Sequence, residues 1–402
     1  MWFRSGYTIR CVTEERGSYQ MAYYDVEERR LARAELKLSR RLENGKGIWR
    51  LELPRPDGES FALEETGGPA SPPPPIRRVL QAFLRGQKPT STAQLLVHRE
   101  NGKERVEVVA GDLSPNGDEP AQEPIGFIRE LLGRQYEEIL RHDPGIRLDL
   151  DPEDVHRVRV AARRARAVLR AARWVLDPTW SEPLRGELKW LGGSLGPLRD
   201  LDVLLSRLRR QMAELEQAEQ TAAATLLEAL EAEREGARAF AVEALESDRY
   251  LRLLDALEGA ARGLPVRRGT ISLEQLAAKE FGSLRKALEE LGEDASDDEL
   301  HRVRILGKRA RYAAELAEPE GGKAARRVVA RAKSFQDVLG AHQDAIVAEA
   351  RLRGLLADQQ GSGAAFAAGR LVEQERQRRR EARAELPEAW KALDREARRA
   401  WG

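Results

Sequence analysis

The segment His156-Arg157-Val158-Arg159-Val160-Ala161-Ala162-Arg163-Arg164-Ala165-Arg166 recurs without a gap as His301-Arg302-Val303-Arg304-Ile305-Leu306-Gly307-Lys308-Arg309-Ala310-Arg311. Seven of the eleven positions are identical, and Arg163 against Lys308 keeps the charge. Downstream, Leu195-Gly196 and Asp200 return as Leu339-Gly340 and Asp344, and Arg207-Leu208-Arg209 returns as Arg351-Leu352-Arg353. The distance from the histidine to the Leu-Gly pair differs by only one residue between the copies. This agreement marks a duplicated helical unit.

At about 100° per residue, His156, Arg159, Arg163, Arg166, Arg170 and Arg173 fall within an arc of roughly 100°. Val158, Ala161, Ala165, Val168, Leu169, Ala172 and Leu176 occupy the adjoining arc. The helix therefore carries an apolar seam for packing with a cationic stripe beside it. Between Val155 and Leu176 there are seven arginines and no acid. The second copy places His301, Arg304, Lys308 and Arg311 on the same face, and its first acid is Glu315.

Like charges three and four residues apart repel by a few tenths of a kcal/mol per pair, so the stripe costs roughly 1–2 kcal/mol. An external polyanion would remove that repulsion and release counterions. The planar guanidinium fork of arginine suits phosphate oxygens. The competing reading is a solvated basic face, or a stripe neutralised by an acidic helix of the same chain. Two matched copies led by histidine favour a ligand. Nearby phosphate would favour the imidazolium of His156 and His301, letting both ring nitrogens donate. Neither histidine has a recurring carboxylate, serine or cysteine beside it, so no catalytic residue is expected. Lys189 and Lys333 are equivalent positions counted back from the Leu-Gly pair and could extend each patch. Arg164, Arg199 and Arg309 are accessory candidates, although Arg199 is matched by Gln343 in the second copy. Asp200 and Asp344 read as structural anchors for arginines of their own repeats.

Outward from the repeat, residues 1–113 differ from the rest. Glu35-Leu36-Lys37-Leu38-Ser39-Arg40, Trp49-Arg50-Leu51-Glu52-Leu53 and Arg105-Val106-Glu107-Val108-Val109 alternate at period two, which predicts a small antiparallel sheet. The run Pro72–Pro75 leads into one expected helix, Ile76–Leu84. Residues 114–124 read as a linker, and 125–400 as helical, with halves at about 125–263 and 270–400. Helix breaks are expected at Asp143-Pro144-Gly145, Asp177-Pro178, Gly192-Gly193, Gly263-Leu264-Pro265, Gly292–Ser296 and Gly321-Gly322. Glu214–Glu235 reads as a long exposed helix with mixed charge, and Glu373–Arg383 as a solvated helix face. The expected fold class is α+β: a small β-rich N-terminal domain followed by an all-α bundle.

A net charge of +1 shows that any polyanion signal must come from charge segregation. Cys11 is the sole cysteine, which excludes an intramolecular disulfide framework and a cysteine-rich zinc site. No apolar run approaches the roughly 18 residues of a membrane span, and Met1–Arg10 lacks a signal-peptide core. A cytoplasmic protein without membrane association is expected.

At the His-x-x-Arg helices and the Leu-Gly-x-x-x-Asp segments, residues 125–400 resemble the CHAD family, the conserved histidine α-helical domain. The resemblance implies a bundle of two pseudo-symmetric halves, each like a four-helix bundle, with a basic groove that binds inorganic polyphosphate. It implicates His156, Arg159, Arg163, Arg166 and Lys189 in one half, and His301, Arg304, Lys308, Arg311 and Lys333 in the other; Arg170 joins them from the helical wheel. Residues 1–113 are similar to a CYTH domain, the triphosphate-tunnel fold, at Tyr23-Tyr24-Asp25, Arg30–Ala34, Leu36–Arg41 and Trp49–Pro54. They depart from it in lacking the opening Glu-x-Glu-x-Lys strand, in Ser39 and Glu52 standing where basic residues are usual, and in length. A truncated remnant follows, with no paired carboxylates to hold a divalent metal.

The expectation is a non-catalytic polyphosphate-binding protein, needing no cofactor or metal and associated with polyphosphate granules in the cytoplasm. One alternative is a metal-dependent triphosphate or polyphosphate hydrolase working through the N-terminal domain. Another is binding of nucleic-acid backbones, against which the first stripe lacks interleaved aromatics. Oligomeric state and chain-length preference are not legible.

Overall fold

A computed structural model describes all residues except 1–15, 44, 56–57, 101–102, 112–123, 215, 267–271, 293 and 358–361. Cys11 and the expected linker, apart from Pro124, lie outside the described residues. The fold is α+β, and the chain divides into two compact units.

The first unit joins the N-terminal segment to Gly133–Val158 and Leu245–Glu258. Its sheet has six strands: β1 (Arg16–Asp25), β2 (Lys37–Glu43), β3 (Lys46–Pro54), β4 (Ser60–Thr66), β5 (Thr90–Glu100) and β6 (Lys103–Gly111). They run in the order β4-β3-β2-β1-β5-β6, with every neighbouring pair antiparallel. The period-two pattern of β3 is realised directly. Trp49, Leu51 and Leu53 are buried, and Leu51 stands opposite Leu38 of β2. Of the alternate residues, Arg50 pairs with both Glu52 and Glu64.

Short helices α1 (Arg30–Arg33), α2 (Pro74–Val79) and α3 (Gln81–Leu84) complete the N-terminal part. The Asp25 carboxylate accepts from the backbone N–H groups of Val26, Leu31 and Ala32, satisfying donors at the start of α1. The single helix expected over Ile76–Leu84 is two, because Leu80 turns out of the helical region at φ −89°, ψ 9°.

Helix α4 (Pro124–Leu148) passes through Asp143-Pro144-Gly145 without the expected break. Asp143 is fully buried and accepts from Arg147 one turn on at 2.7 Å, while Arg147 also donates to the Leu245 carbonyl. These bonds hold the turn that Pro144 would otherwise weaken. Glu258 gathers Arg30, Arg85 and the Tyr136 hydroxyl within 2.9–3.0 Å. Burial acts to raise its pKa, but the Arg30 hydrogen bonds, the Arg85 charge and the Tyr136 hydroxyl outweigh it and hold the carboxyl at about 2.

The second unit comprises Pro124–Leu132, Arg159–Ala244 and Gly259–Gly402. Helix α5 (Pro152–Ala171) contributes most of its length. It is followed by α6 (Pro178–Ser194), α7 (Gly196–Met212), α8 (Gln217–Glu246), α9 (Asp248–Arg262), α10 (Leu273–Glu289), α11 (Asp297–Ala357) and α12 (Ser362–Trp401). Asp177 caps α6 by accepting from the Thr179 N–H, as its place before Pro178 predicts. Breaks also fall at Gly263–Pro265 and Gly292–Ser296, the latter described except for residue 293. At Gly321-Gly322, α11 bends through Gly322, whose φ of 51° and ψ of −127° suit only glycine.

The two copies differ at their Leu-Gly pairs. Leu195 ends α6, whereas Leu339-Gly340 lies inside α11. One core collects Leu205 and Leu208 of α7, Leu230 of α8, Leu352 of α11 and Leu371 of α12, so helices from both copies bury a common surface. Another centres on Phe335, with Phe281, Leu300, Val303 and Leu393. Glu373–Arg383 is not a purely solvated face: Glu375 is fully buried and accepts from Arg207 and Gln211. Among the described residues, no helix is long and apolar enough to cross a membrane.

Candidate functional site

The acids that precede each basic segment sit in first helical turns, Glu153 and Asp154 in α5 and Asp297 to Glu299 in α11. There they meet the positive end of the helix dipole, and the cations follow. The apolar seam packs as the wheel predicts: Val158, Ala161, Ala165 and Leu169 are buried on α5, and Val303, Ala310 and Ala314 on α11. The cationic sides of the two copies then share one cavity of about 260 Å³ within the second unit. Arg163, Arg166, Arg170, Arg185, Lys308 and Arg309 contribute cations to its wall, against one acid, Glu280. Leu276, Ile305 and several alanines form the apolar part.

Arg163 Nε donates to the Tyr312 hydroxyl at 2.7 Å, a bond from the first repeat to the second. The crowding of cations shows in their proton affinities. Burial lowers the Lys308 pKa most, Arg304, Arg163 and Arg311 lower it further, and Asp344 only partly opposes them; the amine is held at about 7. Burial and Arg163 also weaken the protonated form of Arg304, whose Nε is buried without a hydrogen-bond partner among the described residues. Burial and Arg185 act the same way on Arg166, and burial with Arg309 on Arg170.

Arg159 is placed differently. It donates to the Gly192 carbonyl at 3.2 Å and lies 3.6 Å from Asp200, in keeping with Asp200 anchoring its own repeat. A Cβ at Gly196 would stand 2.8 Å from Arg159 Nη1, so the Leu-Gly pair gives this guanidinium room. Asp344 acts by its charge on Arg304 of its own repeat and is met in addition by an arginine of the other. Arg207, of the first copy, donates to its carbonyl at 3.0 Å and approaches its carboxylate at 3.6 Å. Chain folding thus pairs an acid of one repeat with an arginine of the other.

The remaining candidates, Arg304 among them, are not brought to the cavity wall. His156 is half-buried on the first turns of α5, in the segment belonging to the first unit. His301 is exposed, with Nδ1 2.8 Å from Gln343 Oε1. Lys189 and Lys333 are exposed. Arg311 lies over the Tyr312 ring and 3.3 Å from Glu315, which also approaches Arg164 at 4.0 Å. Glu315 therefore answers part of the positive charge at that end. Arg199 is half-buried, and its charge acts on Arg159 and Asp200.

Among the polar residues of the wall, Arg185, Glu280 and Tyr312 escaped the sequence reading. Arg185 stands four residues before Lys189, on the same helical face, and that spacing was the available signal. Tyr312 carried none, because a tyrosine at the edge of an apolar seam reads as core. In the N-terminal sheet, Arg41 is paired with Glu43 and Glu64, and Arg40 reaches the Gly67 carbonyl. Among the described residues, no group of three or more His, Cys, Asp or Glu side chains is placed to hold a metal.

With this geometry in view, a family model described as the CHAD domain matches residues 130–353. The chain belongs to the CHAD-domain family. Two Mycobacterium tuberculosis proteins described as uncharacterized, from strains CDC 1551 and H37Rv, are each 29% identical to it over 314 residues. The matches cover 71% of this chain and 56% of each relative, so the CHAD-family chain spans just over half the length of the curated relatives it matches. Among solved structures it is similar to PptA from Streptomyces chartreusis, with 27% identity and a TM-score of 0.57, covering 66% of this chain and 99% of that one. It is also similar to the CHAD domain from the plant Ricinus communis, with 26% identity and a TM-score of 0.55, covering 70% and 95%.

Proposed function

We propose that this CHAD-family protein binds inorganic polyphosphate, without cleaving it, through the cations that α5 and α11 bring to one cavity. The observation that carries the reading is the meeting on one cavity wall of Arg163 and Lys308, equivalent positions of the two repeats, with the Arg163 charge lowering the pKa of both Lys308 and Arg304. A protein gains nothing in stability from such crowding. A phosphate chain would relieve it, and the buried Arg304 Nε is a donor in want of an acceptor. The family resemblance supports the same ligand. His301, Lys189 and Lys333 would then act outside the cavity, where a long chain leaves it.

The six-stranded N-terminal sheet is read as a remnant of a triphosphate tunnel serving as an accessory module. Binding is assigned to the cytoplasm, at polyphosphate deposits. The decisive experiment titrates long-chain polyphosphate against wild type and the double variant Arg163→Glu/Lys308→Glu, with circular dichroism to verify helicity. Loss of binding with helicity retained is the expected result. Equal binding by the variant removes the cavity from the reading. A preference for RNA at equal ionic strength transfers it to nucleic acid, and orthophosphate release with magnesium or manganese transfers it to hydrolysis.

A further inference from the structure

Among the described residues that line the cavity, Lys308 is the sole amine, set among arginines that cannot act as nucleophiles at neutral pH. The Tyr312 hydroxyl, the other nucleophilic group on the wall, already accepts from Arg163. Arg163, Arg166, Arg170, Arg185 and Arg309 share the wall with the lysine in a space of about 260 Å³, on the scale of a small phosphate ester or anhydride. Leu276, Ile305 and the alanines offer an apolar surface to a short acyl group. A phosphate drawn in by the arginines would hold an attached acyl carbon within reach of the amine.

The geometry points to Lys308 as a site of self-acylation by acyl phosphates, the mixed anhydrides of carboxylic and phosphoric acid. This rests on reading the cavity as a phosphate site. The Nζ lone pair attacks the acyl carbonyl carbon and forms a C–N bond. The bond between the acyl carbon and the oxygen that bridges to phosphorus breaks, and orthophosphate leaves with that electron pair. One amine proton passes to the departing phosphate, so the products are the amide and hydrogen phosphate, with no oxidant or reductant involved. Two conditions that such attack requires are met together. Burial and then the neighbouring guanidinium charges hold the amine near a pKa of 7, so a large share is neutral at physiological pH. Arg163, which contributes to that shift, and the other arginines of the wall would stabilise the charge on the leaving phosphate. The amide carries no charge, so acylation would remove one cation from the cavity and weaken polyphosphate binding.

Exposed Lys189 and Lys333 serve as internal controls on the same full-length chain. The protein is incubated with acetyl phosphate at pH 7.5, and occupancy of each lysine is followed by peptide mass spectrometry. Lys308 is expected to react at least about tenfold faster than the controls, and inorganic pyrophosphate is expected to slow Lys308 alone. With N-hydroxysuccinimidyl acetate, a neutral donor without phosphate, the preference should shrink. Equal rates at Lys308 and the controls, or an equal preference with both donors, overturns the inference. Polyphosphate binding by the unmodified chain is measured separately. Binding without selective acylation defeats only this inference, whereas selective acylation without polyphosphate binding defeats only the proposed function.

Discussion

Arg163 Nε lies 2.7 Å from the Tyr312 hydroxyl, and that bond ties the cationic stripe of the first repeat to the second. It uses one donor of the guanidinium and leaves the terminal nitrogens to meet a phosphate. Tyr312→Phe removes the acceptor while keeping the ring that Arg311 covers. Polyphosphate affinity should fall by about tenfold or less, as expected for one hydrogen bond to a charged group. Isothermal titration of the variant checks this, with unchanged helicity as the control.

Lys308 makes binding depend on pH. Its amine is held at about 7, and a polyanion draws the proton back, so binding takes up protons near neutrality. Affinity should rise as pH falls from about 8.5 to 6. Titrations in buffers of different ionisation enthalpy measure the uptake directly, and Lys308→Arg should abolish the part due to this residue.

The same residue has an opposite signature in stability. A lysine whose folded pKa lies below its unfolded value of about 10.4 binds fewer protons when folded, so stability rises with pH between about 7 and 10.4. Below that window the charged amine is disfavoured in full. Lys308→Met should therefore raise the melting temperature more at pH 6 than at pH 10, which thermal scans at the two values would show.

Salt dependence reports how many cations work together. Affinity should fall steeply with ionic strength, and Arg166→Ala should flatten the log–log slope by about 0.7, the value for one contact to a single strand. A slope unchanged by that substitution would place Arg166 outside the binding surface.

Glu258 governs the first unit. Its carboxyl is held at about 2 against an ordinary value of 4.5, so its contribution is present above about pH 4.5 and is lost as pH falls toward 2. Glu258→Gln leaves Arg30 and Arg85 buried beside a neutral side chain. The cost should be about 3 kcal/mol at neutral pH, typical of breaking a buried pair, and much smaller at pH 2. Denaturant unfolding at both pH values checks it.

Much of the fold was legible because local periodicity carries it. Trp49, Leu51 and Leu53 encode one face of a strand at period two, and Val158, Ala161, Ala165 and Leu169 encode a helical seam. Strands β1 and β5 were harder to read: β1 shifts register at Tyr23/Tyr24 and β5 at Gln94/Leu95, and such irregularities blur alternation. Pro144 misled as a helix stop because Arg147, which pairs with buried Asp143 one turn earlier, is fixed by the Leu245 carbonyl, a position remote in the chain.

The sequence by itself determined that this protein has a duplicated basic helix, that each cationic stripe stands beside a packing seam, and that a sheet precedes the helical part. These follow from spacing along one element, where the backbone repeat converts residue order into faces. Only the tertiary structure decided that Arg163 meets Tyr312, that Arg185 joins the cavity, and that Asp344 answers Arg207 of the other copy. It likewise decided that Lys308 is the cation forced close to neutrality. Charge interactions and burial depend on distances between helices, and no periodicity within a single helix encodes those distances.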